Sequence, residues 1–188
     1  MMSEASNTAL APQQPEQGIA KGGEGALEPT DLSGEMAQFV TFTIGKEEYG
    51  VDIMAVREIK GWSDTTQLPN TPEYMRGVLN LRGLIVPIFD LRCRFSGRFT
   101  EVTPLHVIII VAVGDRMIGI LVDTVSDILS ITSSEIRAVP KMDRRIDDQY
   151  LTGLVNVKDR MVALLDVERL FRSQELNDGF AAAQSADN

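Results

Sequence analysis

Tyr74-Met-Arg-Gly-Val-Leu-Asn80 returns in the second half of the chain as Tyr150-Leu-Thr-Gly-Leu-Val-Asn156. A second pair of similar segments, nearer the N-terminus, aligns Phe39-Val-Thr-Phe-Thr-Ile-Gly45 with Ile108-Ile-Ile-Val-Ala-Val-Gly114. These two segments are separated by fewer residues than the first pair. Because the two matches keep the same order along the chain, they predict two copies of one structural unit. The wider separation of the later match predicts a longer loop in the second copy, near residues 141–148.

Single residues extend both matches. In the register of the Gly45–Gly114 match, the equivalent pairs are Gly50 and Gly119, Val56 and Val125, Glu58 and Asp127, and Ile59 and Ile128. In the register of the Asn80–Asn156 match, they are Val86 and Val162, Asp90 and Asp166, and Phe95 and Phe171. Glycines and acidic residues therefore recur together with the apolar pattern, which favours duplication over chance similarity between β-rich segments.

Each copy has the pattern of a small β-barrel. Short apolar and β-branched runs, such as residues 39–44, 49–53 and 84–89, are separated by turns that contain Gly or Pro. Short helical turns are predicted at 55–59, 71–77 and 125–129, and a terminal helix at 166–171. A barrel of about 65 residues buries little apolar surface by itself. The two barrels are therefore predicted to pack together and to leave a groove between them.

The charge distribution separates a near-neutral body from acidic tails. The 188 residues include 18 Lys and Arg against 27 Asp and Glu. Residues 1–37 contain six of these acids, one lysine and no aromatic residue, so we predict a disordered, solvated tail, with a regulatory role as the alternative. Residues 173–188 predict a second tail. The near-neutral body argues against a nucleic-acid partner and against a polybasic membrane contact.

Composition excludes several classes of site. The single cysteine, Cys93, allows neither an intrachain disulfide nor a cysteine-based zinc site. No glycine-rich phosphate motif follows a predicted strand. The first residues lack the pattern of a secretion signal, and the longest apolar run, residues 107–113, is much shorter than a membrane helix. These features predict a cytoplasmic protein with no cofactor, no metal and no membrane insertion.

The reactive residues argue against catalysis. His106 has no evident partner and is interpreted as a surface or strand-edge residue, so an enzyme centred on it is only a third hypothesis. Arg92 and Arg94 flank Cys93 and would lower its pKa, but no Cys–His pair is specified, and packing is the preferred interpretation. Strand ends and helix caps explain four acids better than a cation site does: Asp52, Asp90, Asp123 and Asp166.

Arg82 is a more informative charged residue. It occupies the tip of Asn80-Leu-Arg-Gly83, where its five donors are suited to binding a carboxylate. Glu58 is the predicted intrachain partner. Since an exposed ion pair contributes only ~0.2–1 kcal/mol to stability, such a pair beside bare glycine backbone is consistent with an interface role, and a solvated turn arginine is the alternative.

These residues lie in stretches that resemble the CheW family, the coupling proteins of chemosensory arrays. In the first half, the matching stretches are Phe42-Thr-Ile-Gly-Lys-Glu-Glu-Tyr-Gly-Val-Asp-Ile53, Val56-Arg-Glu-Ile-Lys-Gly61 and Asn70-Thr-Pro to Gly77-Val-Leu-Asn-Leu-Arg-Gly-Leu-Ile-Val-Pro-Ile-Phe-Asp-Leu91. In the second half, they are Gly119-Ile-Leu-Val-Asp-Thr-Val-Ser-Asp-Ile-Leu129 and Tyr150-Leu-Thr-Gly-Leu154. The resemblance covers residues 38–172.

The resemblance implies an all-β fold of two duplicated SH3-like five-stranded barrels, with short helices and a C-terminal helix. It divides the chain into barrels at 38–104 and 105–172, a nominal boundary if terminal strands are exchanged. It also implies a non-catalytic adaptor in cytoplasmic or membrane-associated arrays, which couples methyl-accepting chemoreceptors to the histidine kinase CheA. The receptor's helical hairpin tip would lie in the groove between the barrels. The kinase's CheW-like regulatory domain, or further copies of the adaptor, would bind the barrel ends and form rings.

The same resemblance implies two sets of contact residues. The receptor-binding set is Val56, Glu58, Gly77, Arg82, Gly83, Val107, Val125 and Ile128. The kinase-binding set is Gly119 and Gly153, whose replacement is expected to disturb kinase contact or the second barrel. A small-ligand or metal-binding β-domain that uses the groove is the alternative function.

Overall fold

A computed structural model describes residues 36–140 and 150–171. The predicted long loop at 141–148, the predicted tail at 173–188 and most of the predicted tail at 1–37 lie outside the described residues. Met36 and Ala37, the last two residues of the predicted N-terminal tail, instead begin the first strand, because they pair with Thr132 and Ile131.

The described chain consists mainly of short strands. The strands are β1 (Met36–Ile44), β2 (Glu47–Asp52), β3 (Val56–Gly61), β4 (Met75–Leu81), β5 (Leu84–Asp90), β6 (Val107–Val113), β7 (Arg116–Val122), β8 (Thr124–Thr132), β9 (Leu151–Val157) and β10 (Arg160–Leu165). The α-helices are α1 (Leu91–Ser96) and α2 (Val167–Phe171), and a 3-10 turn covers Ser133–Glu135. No helix in the described ranges has the length and apolar character needed to cross a bilayer.

The strands form two five-stranded sheets that close into barrels. Barrel I has the strand order β8-β1-β2-β10-β9, and barrel II has the order β3-β6-β7-β5-β4. Paired backbone hydrogen bonds of 2.8–2.9 Å between Thr66 and Val78 join the two edges of barrel II. Paired bonds of 2.8 Å between Arg137 and Leu154 join the edges of barrel I at the equivalent place. The predicted all-β class with two five-stranded units is confirmed.

The two barrels do not follow the two halves of the sequence. Barrel II is built from the consecutive strands β3 to β7, whereas β1 and β2 cross over to complete barrel I with β8, β9 and β10. The nominal boundary at 104/105 therefore lies inside barrel II, between α1 and β6. Strands β1 and β2 thus lie in a different barrel from β3, β4 and β5, which follow them in sequence.

The internal duplication is visible in the parallel strand pairs. Gly50 of β2 lies beside Leu164 of β10, and Gly119 of β7 lies beside Ile88 of β5. Gly50 and Gly119 are repeat equivalents, as are Ile88 and Leu164. A Cβ atom on Gly119 would lie 2.3 Å from Ile88 Cδ1. Because glycine has no Cβ atom, β7 leaves room for the Ile88 side chain of the neighbouring strand β5. Equivalent strands occupy the same places in both sheets, and exchanging the two copies exchanges the two barrels, which is the relation of a pseudo-two-fold axis.

The helices and a shared core join the barrels. The Asp90 carboxylate accepts a hydrogen bond from Cys93 N and caps α1, and Asp166 accepts one from Arg169 N and caps α2. From these ends each helix packs on the other barrel, through the ring pairs Phe95 with Tyr49 and Phe171 with Phe89. One hydrophobic cluster contains buried residues of both barrels, which fixes how they sit against each other.

An arginine lies between the same two tyrosines that begin the quoted repeat. The Arg94 guanidinium of α1 lies 4.7 Å from the ring centre of Tyr74 and 5.3 Å from that of Tyr150, and it donates a 3.2 Å hydrogen bond to the Tyr150 hydroxyl. Tyr74 precedes β4 of barrel II and Tyr150 precedes β9 of barrel I. Cation–π contacts on both rings therefore add a polar link between the barrels.

The three predicted helical turns are wrong. Residues 55–59 and 125–129 lie mostly in β3 and β8, and a turn at 73–74 leads directly into β4. The pairing of β3 with β6 shifts between Val56 and Glu58, and the pairing of β8 with β1 shifts at Val40/Phe42. Such bulges place apolar residues three apart on one face of a strand, which imitates the helical period.

Candidate partner-binding groove

An open apolar groove separates β3 of barrel II from β1 and β8 of barrel I. Its volume is about 370 Å³. The lining residues are Val40, Ile53, Val56, Ile59, Val125, Ser126, Asp127 and Ile128. Five of these side chains are exposed or half-buried aliphatic groups, so the groove exposes an apolar surface that water solvates poorly.

The two walls of the groove are repeat equivalents. Val56 and Ile59 lie on β3, and their counterparts Val125 and Ile128 lie on β8. Ile59 is 44% exposed and Ile128 is 53% exposed, which is unusual for two isoleucines in one concave surface. Complete burial of an isoleucine is worth about 1.5–3 kcal/mol, so covering the exposed half of each side chain stabilises a complex by about 1 kcal/mol. The groove thus contains the residue types expected of a docking site for an apolar stripe.

Glu58 and Arg82 form the predicted ion pair at the side of this groove. Arg82 Nη2 lies 3.0 Å from Glu58 Oε2, and the Arg82 side chain is 81% exposed. Arg82 and Gly83 have φ values of +53° and +90° and form the tight turn between β4 and β5, where Gly83 N donates to Asn80 Oδ1. The turn holds the guanidinium away from the core, where it can reach a partner.

Gly77 and Gly83 differ in their surroundings, although both were predicted to face a receptor. Gly77 is buried in β4 with φ +122°, and an added Cβ atom would lie 2.3 Å from the carbonyl oxygen of Thr66. This carbonyl takes part in the closure of barrel II. Gly83 has no neighbouring atom within 4 Å of the same position. A Gly77→Asp substitution is therefore expected to disturb the fold as well as any partner contact, because that site is part of the barrel closure.

The remaining predicted contact residues do not lie in the groove. Val107 begins β6, pairs with Gly61 and Val122, and packs on the shared core. Gly119 and Gly153 are buried in different barrels, and a Cβ atom on Gly153 would lie 2.3 Å from Ile136 Cγ2. A substitution at either glycine would therefore affect a partner by changing the shape of the barrel, and not by removing a direct contact.

Several groove residues escaped the sequence analysis. Val40, Ile53 and Ile59 line the groove, and Met54, which is 76% exposed, lies in the turn between β2 and β3. Ile59 could have been predicted as a groove residue, because it is the repeat equivalent of Ile128, which was predicted to bind the receptor. Val40 lacked such a signal, since its place at the bottom of the groove depends on the pairing of β1 with β8.

His106 has partners, contrary to the interpretation from the sequence. Its Nδ1 atom accepts a 3.0 Å hydrogen bond from Thr103 N, and its Nε2 atom lies 3.6 Å from Asp123 Oδ1. Asp123 also pairs with Arg92 and accepts a 2.7 Å hydrogen bond from Gly45 N. Because Asp123 is the single residue between β7 and β8, this cluster joins the crossover between the barrels to α1 and to the β1–β2 turn.

Cys93 is buried, as the packing interpretation predicts, but its pKa is raised. The side chain is 6% exposed, and burial is the main cause of the raised pKa, followed by the nearby Asp90 and Glu73 carboxylates. The flanking arginines do not lower it, because Arg92 pairs with Asp123 and Arg94 lies between two tyrosines. The thiolate fraction at neutral pH is therefore smaller than that of a free cysteine.

We expect native protein to react slowly with iodoacetamide at pH 7 and quickly in denaturant, because the thiol is both buried and protonated. Mass spectrometry of the alkylated fraction over time measures the two rates. Rapid alkylation under native conditions, at the rate seen in denaturant, would contradict this assignment of Cys93.

Two closed barrels with a shared core and an apolar groove between them define an all-β interaction module. Within residues 36–140 and 150–171, no three His, Cys, Asp or Glu side chains converge in a way that could hold a metal ion. The CheW-like domain family matches residues 38–175, and the chain belongs to this family.

Relatives and a solved structure agree with this assignment. The chain is 44% identical over 147 residues to the chemotaxis protein CheW of Klebsiella aerogenes, a match that covers 77% of this chain and 89% of that protein. It is 41% identical over 138 residues to the probable chemotaxis protein CheW of Rhizobium etli, covering 73% and 89%. The crystal structure of the scaffolding protein TtCheW from Thermoanaerobacter tengcongensis matches with a TM-score of 0.67 and 31% identity, over 74% of this chain and 90% of that one.

Proposed function

We propose that this protein is a non-catalytic cytoplasmic adaptor that couples methyl-accepting chemoreceptors to the histidine kinase CheA. The observation that carries the proposal is the exposed apolar groove with Ile59 and Ile128 on opposite walls. The similarity to chemotaxis and scaffolding proteins of the CheW family supports the same role. Such a protein would catalyse no reaction, because its role would be to hold receptor and kinase in a fixed relative position.

The receptor would bind in the groove through the tip of its helical hairpin. A helix presents apolar side chains at three- and four-residue intervals, and an apolar groove between rigid elements is a recurrent site for such a stripe. The bulges of β3 and β8 place two aliphatic side chains three residues apart on each wall. Arg82 lies beside this site and would bind a carboxylate of the receptor in addition to Glu58.

The kinase would bind at the barrel ends through its CheW-like regulatory domain. The β4–β5 hairpin of barrel II exposes Leu84 and Ile85, at 53% and 60%. The equivalent β9–β10 hairpin of barrel I exposes Met161 at 57%. Two equivalent apolar ends on one chain would let kinase domains, or further adaptor copies, join end to end and close into rings.

The proposed mechanism is a shift of populations. An adaptor that holds receptor and kinase in one geometry makes the active fraction of the kinase depend on the receptor's conformation, provided the two receptor states bind the groove differently. The shared core and the Arg94 link suit this task, because they keep the groove fixed relative to the barrel ends.

The alternative, a small-ligand or metal-binding domain, has less support. The groove presents one carboxylate, Asp127, among mostly apolar side chains. A thermal-shift panel of divalent metals and metabolites tests this alternative directly, because a ligand of the native state raises the melting temperature.

Arg82→Ala is expected to weaken receptor binding without measurable loss of stability. The side chain is 81% exposed, so its pair with Glu58 contributes little to folding. Co-sedimentation with a receptor cytoplasmic fragment and CheA from the same organism measures assembly, and thermal denaturation measures stability. Assembly at wild-type levels would remove Arg82 from the receptor site, and failure of the wild-type protein to assemble would contradict the adaptor function itself.

A further inference from the structure

The apolar walls of the groove cannot by themselves determine the direction of a bound helix. Val56 and Ile59 on β3 are related to Val125 and Ile128 on β8 by the internal duplication, and both strands carry a bulge at the same place. A half-turn about the pseudo-two-fold exchanges the walls and reverses a helix that lies between them. Apolar contacts would therefore be similar for the two opposite directions.

The charged residues around the groove break this symmetry. On the side of barrel II lie Arg57 and the Glu58–Arg82 pair, which together are two cations and one anion. The repeat equivalents on the side of barrel I are Ser126 for Arg57, Asp127 for Glu58 and Lys158 for Arg82. The turns around Arg82 and Lys158 match, since both residues have positive φ, at +53° and +47°.

The barrel I side lacks an ion pair equivalent to Glu58–Arg82. Among the described residues, Asp127 has no cationic group within 4 Å, whereas Glu58 has Arg82 at 3.0 Å. Asp127 is exposed and lines the groove, and its Oδ1 atom accepts a hydrogen bond from Ile128 N. Asp159 takes the place of Gly83, so the equivalent residues on the barrel I side are two anions, Asp127 and Asp159, and one cation, Lys158. One flank of the groove is thus net positive and the other net negative.

We propose that this charge asymmetry sets the direction of the bound helix. The preferred partner is an amphipathic helix with an apolar stripe, acidic residues on the flank that faces β3, and basic residues on the flank that faces β8. Reversing the helix would bring acids against Asp127 and bases against Arg57, and like-charge contact across an interface is unfavourable enough to exclude a partner. The inference rests on the proposed receptor site and adds its polarity.

The test exchanges two equivalent residues. The double variant Arg57→Ser/Ser126→Arg keeps the composition and net charge and moves one cation from the β3 wall to the β8 wall beside Asp127. Neither side chain is buried, so folding is expected to be unchanged. Binding of a receptor cytoplasmic fragment to the full chain is measured by titration, with Ile128→Glu as the control that removes the apolar contact.

Direction is read by energy transfer in a Cys93→Ser background. An acceptor is attached at Asp64→Cys, beyond β3, or at Ser134→Cys, beyond β8, and a donor is attached near one end of the receptor's tip helix. The exchange variant is expected either to bind about 10-fold more weakly, which corresponds to about 1.4 kcal/mol of binding free energy, or to bind in the opposite direction. The opposite direction would invert the order of the two transfer efficiencies. Unchanged affinity and unchanged order would overturn the inference. Wild-type binding by Ile128→Glu would instead contradict the groove as the receptor site, so the two failures are distinguishable.

Discussion

Gly77→Ala is expected to lower the free energy of unfolding by about 3 kcal/mol, because two effects add at this site. Alanine at φ +122° is strained, typically by about 1–3 kcal/mol. Its Cβ atom would also lie 2.3 Å from the Thr66 carbonyl oxygen, which is backbone and which helps to close barrel II. For a domain of this size, the melting temperature should fall by about 6–12 °C, measurable by circular dichroism or calorimetry.

Gly83→Ala is the matched control for this prediction. Gly83 also has a positive φ, of +90°, but an added Cβ atom would meet no atom within 4 Å. The control therefore isolates the backbone strain, about 1–2 kcal/mol. Equal stability losses in the two variants would show that the close approach of β4 to Thr66 contributes nothing.

Ile128→Glu is expected to reduce the affinity for a receptor cytoplasmic fragment by about 100-fold while leaving the fold intact. The side chain is 53% exposed on a groove wall, so the substitution buries no charge in the free protein. In a complex it would place a carboxylate in an apolar contact, and a central apolar anchor is worth about 2–4 kcal/mol of binding. Titration calorimetry and the melting temperature measure the two quantities.

Leu105→Glu provides the control for a change from an exposed aliphatic side chain to a carboxylate. Leu105 is 82% exposed in the loop before β6 and does not line the groove. We expect wild-type affinity for this variant. If Leu105→Glu lost as much affinity as Ile128→Glu, the effect would be one of net charge, and the groove would lose its special role.

The sequence predicted the fold where local pattern and repeat agreed. The succession of strands along the chain and the duplicated two-barrel arrangement could be inferred, because Gly50, Gly119 and the other equivalent residues mark corresponding points of the two copies. The capping roles of Asp90 and Asp166 followed in the same way. Each of these features depends on residues close in sequence or on the repeat itself.

Other features depend on long-range contacts that no local pattern records. The bulge in β3 places Val56 and Ile59, which are three residues apart in sequence, on one face of the strand. Without knowledge of the partner strand, this spacing predicts a helix. In the sequence, Gly77 has the pattern of a glycine that ends a helix. In the structure, a glycine is required there because the Thr66 backbone, at the opposite edge of the sheet, leaves no room for a Cβ atom. His106 appeared isolated because Asp123 reaches it only when the β7–β8 crossover is in place.

Hydrogen–deuterium exchange of the full chain, with and without a bound receptor cytoplasmic fragment, tests the central claim most directly. The groove model predicts slower exchange in Val56–Gly61 and Thr124–Thr132, the two strands that form its walls, when sedimentation shows that the fragment is bound. Slower exchange confined to other segments, such as the exposed loop at residues 97–106, would contradict the claim that the receptor binds between the barrels.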